Sequence, residues 1–338
     1  MEQRENDESI DSIEFAKTRV SIIRERQVHD HLSLRNAIDD LRKAFRAHAR
    51  QQAVNAPRIR IISPQQPWLH TLRAGIPSWN VIGGKDYTSV GFNTPAMWVT
   101  VVDGKTALPK AFIEANYLSR IRTAATTGLA TELLAPRDAT CLAHFGAGKI
   151  SELLVRAVLK VRPSVRRVLL VRHDDSKGAP DWLHDLGDHV QAELVTPETA
   201  LGEAHIVTTA TNSARPVIPI NAEMPNVRHV NLVGANHLKR REIPEDFAYR
   251  CLPPTGYLVV EDTQQARQEA GDFAGLGDKI NWAEIPTLGQ LIDDLNEKKK
   301  AENASLAVFK SVGTGLMDLA VAAGVLRRMK LLAGPSGS

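Results

Sequence analysis

The chain is poor in cysteine. Only Cys141 and Cys251 occur among its 338 residues, and they lie far apart without the spacing of metal ligands. Structural disulfides are typical of oxidising compartments, whereas sparse cysteine fits a reducing one. We therefore expect a cytoplasmic protein without a metal site.

Long apolar runs are missing as well. No segment approaches the roughly 18 consecutive apolar residues that indicate a membrane-spanning helix. The first residues, MEQRENDESIDS, are polar and acidic, which argues against a signal peptide. We expect residues 1–12 to form a disordered tail, the closing GPSGS to be a flexible end, and the protein to have no membrane partner.

The charge balance gives no sign of a nucleic-acid partner. The formal net charge is only +3, aromatic residues make up 5% of the chain, and no run of lysine and arginine is interleaved with them. One basic cluster, residues 298–300, follows acidic residues at the end of a predicted helix, where cations are favourable. We interpret that cluster as a solvated helix end.

The chain does contain enough apolar sequence for a sizeable core. Hydrophobic residues make up 43% of it, and a length of 338 residues suggests two domains of roughly 150 residues each. The first third combines a helix over residues 33–52, capped by Ser33, with strand-like segments at 57–63, 97–104 and 109–116. This mixture predicts an α+β domain with an antiparallel sheet.

From residue 119 onward, strands and helices alternate. Apolar strands are predicted within residues 140–148, 165–175, 203–211, 228–236 and 256–262, and helices over 119–134, 149–161 and 312–332. Such alternation is typical of a doubly wound parallel sheet. The predicted fold class is therefore α/β, with a Rossmann-type domain and a separate α+β domain.

A glycine-rich segment, AHFGAGKISELL over residues 143–154, joins the first of these strands to a helix. Its G-x-G-x-x-S spacing is close to that of dinucleotide-binding loops. Gly146 would permit the tight turn, Gly148 the approach of the pyrophosphate, and Ser151 close packing of helix on strand. The alternative is a plain strand-to-helix turn. We predict a cofactor site that includes Gly146, Ala147, Gly148, Lys149, Ile150 and Ser151.

The end of the next strand bears on the choice of cofactor. An acidic residue there favours NAD, and a cation favours NADP. The strand ends in VRHDD, residues 171–175, and Arg172 lies 21 positions after Ser151, close to the usual spacing of about 20. Arg172 and His173 would surround a 2′-phosphate, so we favour NADP(H) over NAD(H). A solvated turn that discriminates neither cofactor is the alternative.

Several segments occur in an order that resembles a known family. They are SRIRTAATTGLATELLAP, FGAGKIS, TTATNSARPVIP, HVNLVGANHLKRREI and VFKSVGTGLMDLAVA, and together they resemble the ornithine cyclodeaminase/mu-crystallin family over about residues 55–330. The resemblance implies a dinucleotide-binding domain and a substrate-binding and dimerisation domain that the C-terminal helix completes. We expect a homodimer. The dinucleotide-binding domain should comprise residues 126–308, and the substrate-binding and dimerisation domain residues 13–125 plus 309–334.

The resemblance also implies site residues. Arg58 in APRIRI, Lys85 in GGKDYTSVG and Arg122 in IRTAATTG match family positions that bind the substrate carboxylate and surround its reacting carbon. Arginine pairs well with carboxylates, and a partly buried lysine can protonate or polarise an imine. On sequence alone, Arg60 could bind the substrate carboxylate as well as Arg58. The matching segments after the later strands add to the cofactor site Thr209, Ala210, Thr211, Val233 and Gly313.

One position departs from the family pattern. Cyclodeaminases carry an aspartate that serves as acid and base where this chain has Asn236, in the segment VGAN. Asparagine cannot take up a proton at neutral pH, so ornithine cyclisation is in doubt. His237 is a possible replacement, although an exposed loop histidine explains it more simply.

The favoured function is therefore hydride transfer between NAD(P)(H) and a small α-imino or α-amino acid. Arg58 and Arg122 would hold the substrate carboxylate, Lys85 would act on the imine nitrogen, and Asn236 would lie beside them. Two alternatives stay open. One is an ornithine cyclodeaminase that uses NAD catalytically and forms proline. The other is a non-catalytic NADP-binding protein, as the crystallin part of the family name suggests.

Overall fold

The structure is a computed structural model that describes residues 10–63, 67–90 and 96–334. Of the expected disordered tail, residues 1–9 lie outside the described residues, and Ser12 already opens the first strand. The expected flexible end lies outside them from residue 335 onward. Within the described part of the chain, no helix has both the length and the apolar character needed to cross a membrane.

The first sheet contains seven strands. They are β1 (Ser12–Phe15), β2 (Thr18–Ile23), β3 (Val54–Ile61), β4 (Trp68–Ile76), β5 (Val81–Ser89), β6 (Met97–Asp103) and β7 (Pro109–Glu114). Their order is β1-β2-β7-β6-β5-β4-β3. All neighbours are antiparallel except β2 and β7, which are parallel. The predicted antiparallel sheet is thus mixed at one pair, because the long connection from β2 to β7 permits parallel pairing.

Two helices follow β2, namely α1 (Glu25–His31) and α2 (Leu34–Ala49). The predicted cap of the longer one is confirmed, since the Ser33 side chain accepts a hydrogen bond from the Asn36 amide. Its apolar face, including Leu41 and Phe45, is buried in the main hydrophobic core. The helix α1 and the strands β1, β2, β4 and β5 were not predicted from the sequence.

The second sheet is entirely parallel. Its strands are β8 (Cys141–Phe145), β9 (Arg167–Val171), β10 (Gln191–Leu194), β11 (Ile206–Thr209), β12 (His229–Leu232), β13 (Gly256–Val260) and β14 (Leu306–Lys310). The order β10-β9-β8-β11-β12-β14-β13 runs outward in both directions from β8 and β11. This is the doubly wound arrangement, so the predicted fold class is confirmed. Ligands of such sheets bind at the carboxyl ends of the strands near the point where the order reverses.

Most of the remaining helices connect the parallel strands. They are α4 (Ser151–Val161), α5 (Pro197–Glu203), α6 (Glu245–Arg250), α7 (Thr263–Glu269), α8 (Leu288–Asp293) and α9 (Leu295–Asn303). The lysine cluster at residues 298–300 lies in the middle of α9 and not at a helix end as predicted, since the helix continues to Asn303 and only Lys300 belongs to its last turn.

Two long helices join the two sheets, α3 (Asn116–Leu134) and α10 (Gly315–Arg328). The helix α3 packs on α2 and α4, while α10 lies against the inner face of the mixed sheet. The expected domain boundaries at 125/126 and 308/309 fall inside α3 and β14. Since a helix or strand forms as one unit, we propose boundaries at the ends of these elements, after Leu134 and after Lys310.

The outer face of the mixed sheet is largely bare. Its side chains include several exposed apolar residues, with exposed fractions of 63% for Val54, 59% for Ile59, 53% for Ile82 and 38% for Phe112. The strand register places these residues on the face opposite Lys85 and α10. One sheet face therefore has apolar surface that the described residues do not cover.

Candidate active site

A cavity of about 320 Å³ lies between the inner face of the mixed sheet and the carboxyl ends of the parallel strands. Both sheets contribute to it, since β3 and β5 supply residues from one side and the loops after β12 and β14 from the other. Four predicted catalytic positions line the same cavity: Arg58, Lys85, Arg122 and Asn236.

Lys85 lies at the bottom of this cavity. It alternates inward on β5, and its side chain is only 3% exposed. The ammonium Nζ donates to Ser119 Oγ at 2.8 Å and lies 3.0 Å from Asp318 Oδ1. Burial, aided by the positive charge of Arg122, lowers the pKa of Lys85 to about 7, and the Asp318 carboxylate opposes this shift. The group is thus suited to exchange protons near neutral pH.

Asp318 also binds Arg122. The Arg122 Nε lies 3.0 Å from Asp318 Oδ1, the same oxygen that contacts Lys85. The Asp318 side chain is fully buried on α10. Asp318 was not predicted from the sequence, although one acid within the apolar segment GLMDLAVAAGV was a usable signal.

Arg58 approaches from β3 and is held by a second buried acid. Its Nη1 lies 3.1 Å from Glu269 Oε2, and its Nη2 donates to the carbonyl oxygens of Val312 at 2.9 Å and Gly313 at 3.1 Å. Arg60 pairs with the other oxygen of Glu269 at 2.5 Å. Both arginines therefore reach the cavity, but Arg58 is more deeply buried, with a side chain 3% exposed against 19% for Arg60.

Gly313 lies between two of the arginines. Its φ is +77°, and a Cβ atom built on it would lie 2.9 Å from Arg122 Nη1 and 3.5 Å from Arg58 Nη2. Its amide donates to the buried Glu261 at 2.9 Å, which fixes the loop. The two guanidinium groups therefore converge where a side chain is absent, which forms a pocket for an anion. The structure places Gly313, which the sequence assigned to the cofactor site, beside these arginines.

The loop that carries Asn236 is fixed by another buried acid, Glu242. Glu242 accepts hydrogen bonds from the amides of Gly234 at 2.6 Å and Thr211 at 2.7 Å, which ties the loops after β11 and β12 together. Asn236 itself is exposed at the cavity edge, and its carbonyl accepts a bond from Arg60 at 3.1 Å.

His237 lines the cavity beside Asn236. Its Nδ1 accepts a hydrogen bond from the Lys239 amide at 3.1 Å. Burial, followed by the charge of Arg60, lowers the pKa of His237. The ring is therefore biased towards its neutral form.

One side of the cavity is aromatic. His70 stacks on Tyr87 with ring centroids 4.2 Å apart, and Trp68 and Met97 line the same side. Burial lowers the pKa of His70 to about 4, with smaller contributions from Arg60 and Arg58. The neutral wall can pack against the carbon skeleton of a small substrate.

The glycine loop has the features that a dinucleotide requires. Gly146 follows β8 with φ +115°, and a Cβ there would lie 2.6 Å from the Ala210 carbonyl oxygen. A Cβ on Gly148 would meet no atom within 4 Å, so the loop has open space for a ligand. The helix α4 begins at Ser151, whose buried hydroxyl has no hydrogen-bond partner among the described residues. These residues fit a pyrophosphate at a helix N-terminus.

The other predicted cofactor positions lie along the same sheet edge. Thr209 ends β11, Ala210 and Thr211 follow it, and Val233 follows β12. Lys149 and Ile150 lie in the turn before α4.

The tip of β9 carries Arg172 and His173. The Arg172 guanidinium donates to the Gly178 carbonyl, and the His173 side chain is exposed. Asp174 accepts from Ser176 at 2.5 Å and pairs with Lys177 at 3.7 Å.

The chain is similar to known proteins over most of its length. A sequence model of the ornithine cyclodeaminase/mu-crystallin family matches residues 19–331. A Delta(1)-pyrroline-2-carboxylate reductase of Bacillus thuringiensis subsp. konkukian is 32% identical over 237 residues, which cover 66% of this chain and 68% of that protein.

Solved structures share the architecture. The probable ornithine cyclodeaminase from Bordetella pertussis Tohama I is 27% identical, with a TM-score of 0.81 over 91% of this chain and 96% of that chain. The iminosuccinate reductase of Paracoccus denitrificans, solved in complex with NAD+, is 22% identical with a TM-score of 0.80 over the same shares. At that identity the second likeness concerns the fold alone.

Proposed function

The chain belongs to the ornithine cyclodeaminase/mu-crystallin family, and we propose that within this family it is an NAD(P)H-dependent reductase of small α-imino acids. The observation that carries this proposal is the buried Lys85 ammonium, which lies in one cavity with Arg58 and Arg122 beside the carboxyl edge of a Rossmann-type sheet. A relative that shares 32% identity bears the name of a reductase of a cyclic α-imino acid.

The cofactor of this proposal is a nicotinamide dinucleotide. The loop from Gly146 to Ser151 would hold its pyrophosphate, with Thr209, Thr211 and Val233 further along the same edge. When bound, the nicotinamide supplies the hydride that adds to the imine carbon.

Recognition of the substrate would depend on Arg58 and Arg122. Their guanidinium groups converge at Gly313, where the α-carboxylate of an imino acid would accept charge-assisted hydrogen bonds. Ion pairs with Glu269 and Asp318 already fix Arg58 and Arg122, so the two arginines would need little rearrangement when the substrate binds. The reacting carbon, one bond from the carboxylate, would then lie close to Lys85.

Lys85 would supply the proton. As the C=N double bond becomes a single bond, Nζ donates a proton to the substrate nitrogen and later regains one from solvent. A pKa of about 7 allows Lys85 to be protonated and still to be a competent acid near neutral pH.

Asn236 supports reduction over deamination. Deamination needs a carboxylate that can activate water or an amine, and an amide side chain cannot take up a proton. Asn236 can orient the substrate by hydrogen bonds only. His237 is biased towards the neutral form, yet its Nδ1 is already used by the Lys239 amide, which weakens its claim as a replacement base.

Two finer points belong to the same proposal. Arg172 at the tip of β9, where an acid would favour NAD, supports a preference for NADP(H). The bare apolar face of the mixed sheet supports a homodimer in which a second copy covers Val54, Ile59, Ile82 and Phe112.

The test is a screen of the purified protein for NADPH and NADH oxidation, followed by nicotinamide absorbance. Substrates would be cyclic α-imino acids and α-keto acids mixed with ammonia or methylamine, and ornithine with NAD+ would run in parallel. We expect oxidation with at least one imine and no product from ornithine. Conversion of ornithine to proline and ammonia, without imine reduction, would overturn the proposal in favour of a cyclodeaminase. Cofactor binding without either reaction would favour a non-catalytic protein.

A further inference from the structure

We propose that Asp318 is a positioning residue that keeps Lys85 protonated and fixes its ammonium group relative to Arg122, an inference that rests on the proposed function. Asp318 touches neither the substrate nor the cofactor in this account, because it lies behind both cations on α10.

The geometry is that of one carboxylate oxygen shared by two cations. Asp318 Oδ1 lies 3.0 Å from Lys85 Nζ and 3.0 Å from Arg122 Nε. Ser119 Oγ completes the cluster, since it accepts from Lys85 at 2.8 Å and contacts Arg122 Nη2 at 3.5 Å. Because all three charged side chains are at most 7% exposed, their interaction is weakly screened by solvent. The proton donor and the carboxylate-binding arginine are therefore held at one fixed separation.

The Asp318 carboxylate is the charged neighbour that favours the protonated form of Lys85. Arg122 on α3 and Arg58 on β3 both lower the pKa of Lys85, and Tyr87 on its own strand presents a ring 5.5 Å away. Asp318 on α10 is the one carboxylate that forms an ion pair with Lys85 in the described part of the chain. Without that negative charge, burial and two arginines would all act in the same direction, and Lys85 would become neutral at lower pH.

The consequence is a directional pH effect. Imine reduction needs protonated Lys85, so its rate falls as the pH rises through the Lys85 pKa. Asp318→Asn removes the charge and keeps the shape, so the alkaline limb of the kcat profile should move to lower pH by about one unit or more. At a pH above the apparent pKa values of both proteins, the kcat of Asp318→Asn should be lower than that of the wild type by about tenfold or more.

A matched control is available on the neighbouring helix. Asp40 is also a buried acid that contacts α10, and it pairs with Arg328 at 3.0 Å, outside the cavity. Asp40→Asn should lower thermal stability without moving the pH profile. Ser119→Ala, which removes a hydrogen bond but no charge, should lower kcat without the full displacement of the limb.

The experiment measures kcat against pH for the wild type and these variants, together with NMR titration of ε-¹³C-labelled lysine in the cofactor-free protein, where Lys85→Met assigns the signal. The NMR arm is independent of turnover, so a failure of the proposed function would not hide the result. If Asp318→Asn does not fold, Arg122→Gln removes a positive charge from the same cluster instead of a negative one. The Lys85 titration should then move to higher pH. An unmoved limb and an unmoved Lys85 titration in a folded Asp318→Asn protein would overturn the inference.

Discussion

Lys85 shares its surroundings with two arginines and one carboxylate, and this small set of charges governs the proposed chemistry. Arg58 and Arg122 converge at Gly313, where we propose that the substrate carboxylate binds. Burial, followed by the positive charge of Arg122 and a smaller effect of Arg58, lowers the Lys85 pKa from its ordinary value of 10.5 to about 7. The arginines proposed to bind the substrate therefore also contribute to the acidity of the proposed proton donor.

Replacement of the lysine should abolish most turnover. Lys85→Met keeps the length of the side chain but cannot donate a proton, so kcat should fall by about 10²–10⁴-fold. Cofactor affinity should be unchanged because Lys85 does not belong to the glycine loop. The exposed Lys299 on α9 gives the control, and Lys299→Met should keep full activity. Steady-state kinetics that show less than a threefold loss for Lys85→Met would remove Lys85 from the mechanism.

The asparagine should not tolerate the acid found in cyclodeaminases. In Asn236→Asp, a new negative charge beside Arg60 would compete with the substrate carboxylate for the arginines. The KM for the imine should rise, and kcat should not improve. If the variant instead gained ornithine deamination and kept imine reduction, an acid at position 236 would be sufficient for deamination and would not disturb substrate binding, which would contradict this prediction.

At the level of elements, the strand β8, its glycine loop and α4 form the proposed cofactor-binding unit. Gly146 is confined by the Ala210 carbonyl, whereas Gly148 faces open space. These two glycines therefore have different functions, because the first allows the turn and the second leaves room for a ligand.

This difference makes Gly148 a clean target. Gly148→Val meets no atom of the protein within 4 Å of the new Cβ, so the fold should survive. The side chain would occupy the space into which the pyrophosphate must come, and cofactor binding should be lost. Calorimetry or nicotinamide fluorescence measures the affinity, and circular dichroism checks the fold. Wild-type affinity in a folded variant would place the cofactor elsewhere.

The tip of β9 should select the cofactor. Arg172→Ala should weaken NADPH by about one to two decades in affinity, since a hydrogen bond to a charged group contributes about 1.5–3 kcal/mol. NADH should be affected much less. Binding titrations with both cofactors decide the matter, with His189→Ala, a substitution in the connection before β10, as the control. Equal weakening of NADPH and NADH would contradict a 2′-phosphate contact.

The sequence was most informative where an element has a strong period or a motif. Local pattern predicted the capped helix α2, the glycine loop and five apolar parallel strands, β8, β9, β11, β12 and β13, but not β14, which reads LAVFK. By contrast, β5 reads VIGGKDYTS without a regular alternation of apolar and polar residues. The strand β10 reads QAEL, which alternates over only four residues and contains no β-branched or aromatic side chain. Such strands form because their neighbours pair with them, which a single sequence does not reveal.

The site was predictable to a similar extent. Motifs marked Arg58, Lys85 and Arg122, which lie in three separate elements and meet in one cavity. The acids that hold them, Glu269 and Asp318, were missed because each acts across the fold from a distant helix. Their pairing depends on how α7 and α10 pack, and sequence spacing carries no record of that packing.

At the scale of the whole molecule, the cavity lies between the two sheets, and one face of the mixed sheet is not covered by any described part of the chain. The inner face of the mixed sheet is buried by α10, whereas apolar side chains are exposed on the outer face. A second copy is the simplest cover, since two such faces are self-complementary in a two-fold dimer.

Light scattering should therefore give about twice the chain mass of 37.1 kDa at micromolar concentration. Ile82→Lys places a charge on the outer face and should shift the protein towards the monomer. Leu295 is equally apolar, is 70% exposed and lies on α9, so Leu295→Lys should leave the mass unchanged. A monomeric wild type, or an Ile82→Lys protein with an unchanged mass, would contradict the proposed dimer face.

The most direct test of the central claim is the stoichiometry of the reaction. With a cyclic α-imino acid and NADPH or NADH, the account predicts one molecule of cofactor oxidised for each molecule of amino acid formed, and product formation slower by about 10²–10⁴-fold with Lys85→Met. With ornithine and NAD+, it predicts neither proline nor ammonia. Release of ammonia and formation of proline from ornithine by the wild type, with no net change in nicotinamide absorbance and no imine reduction, would contradict the account.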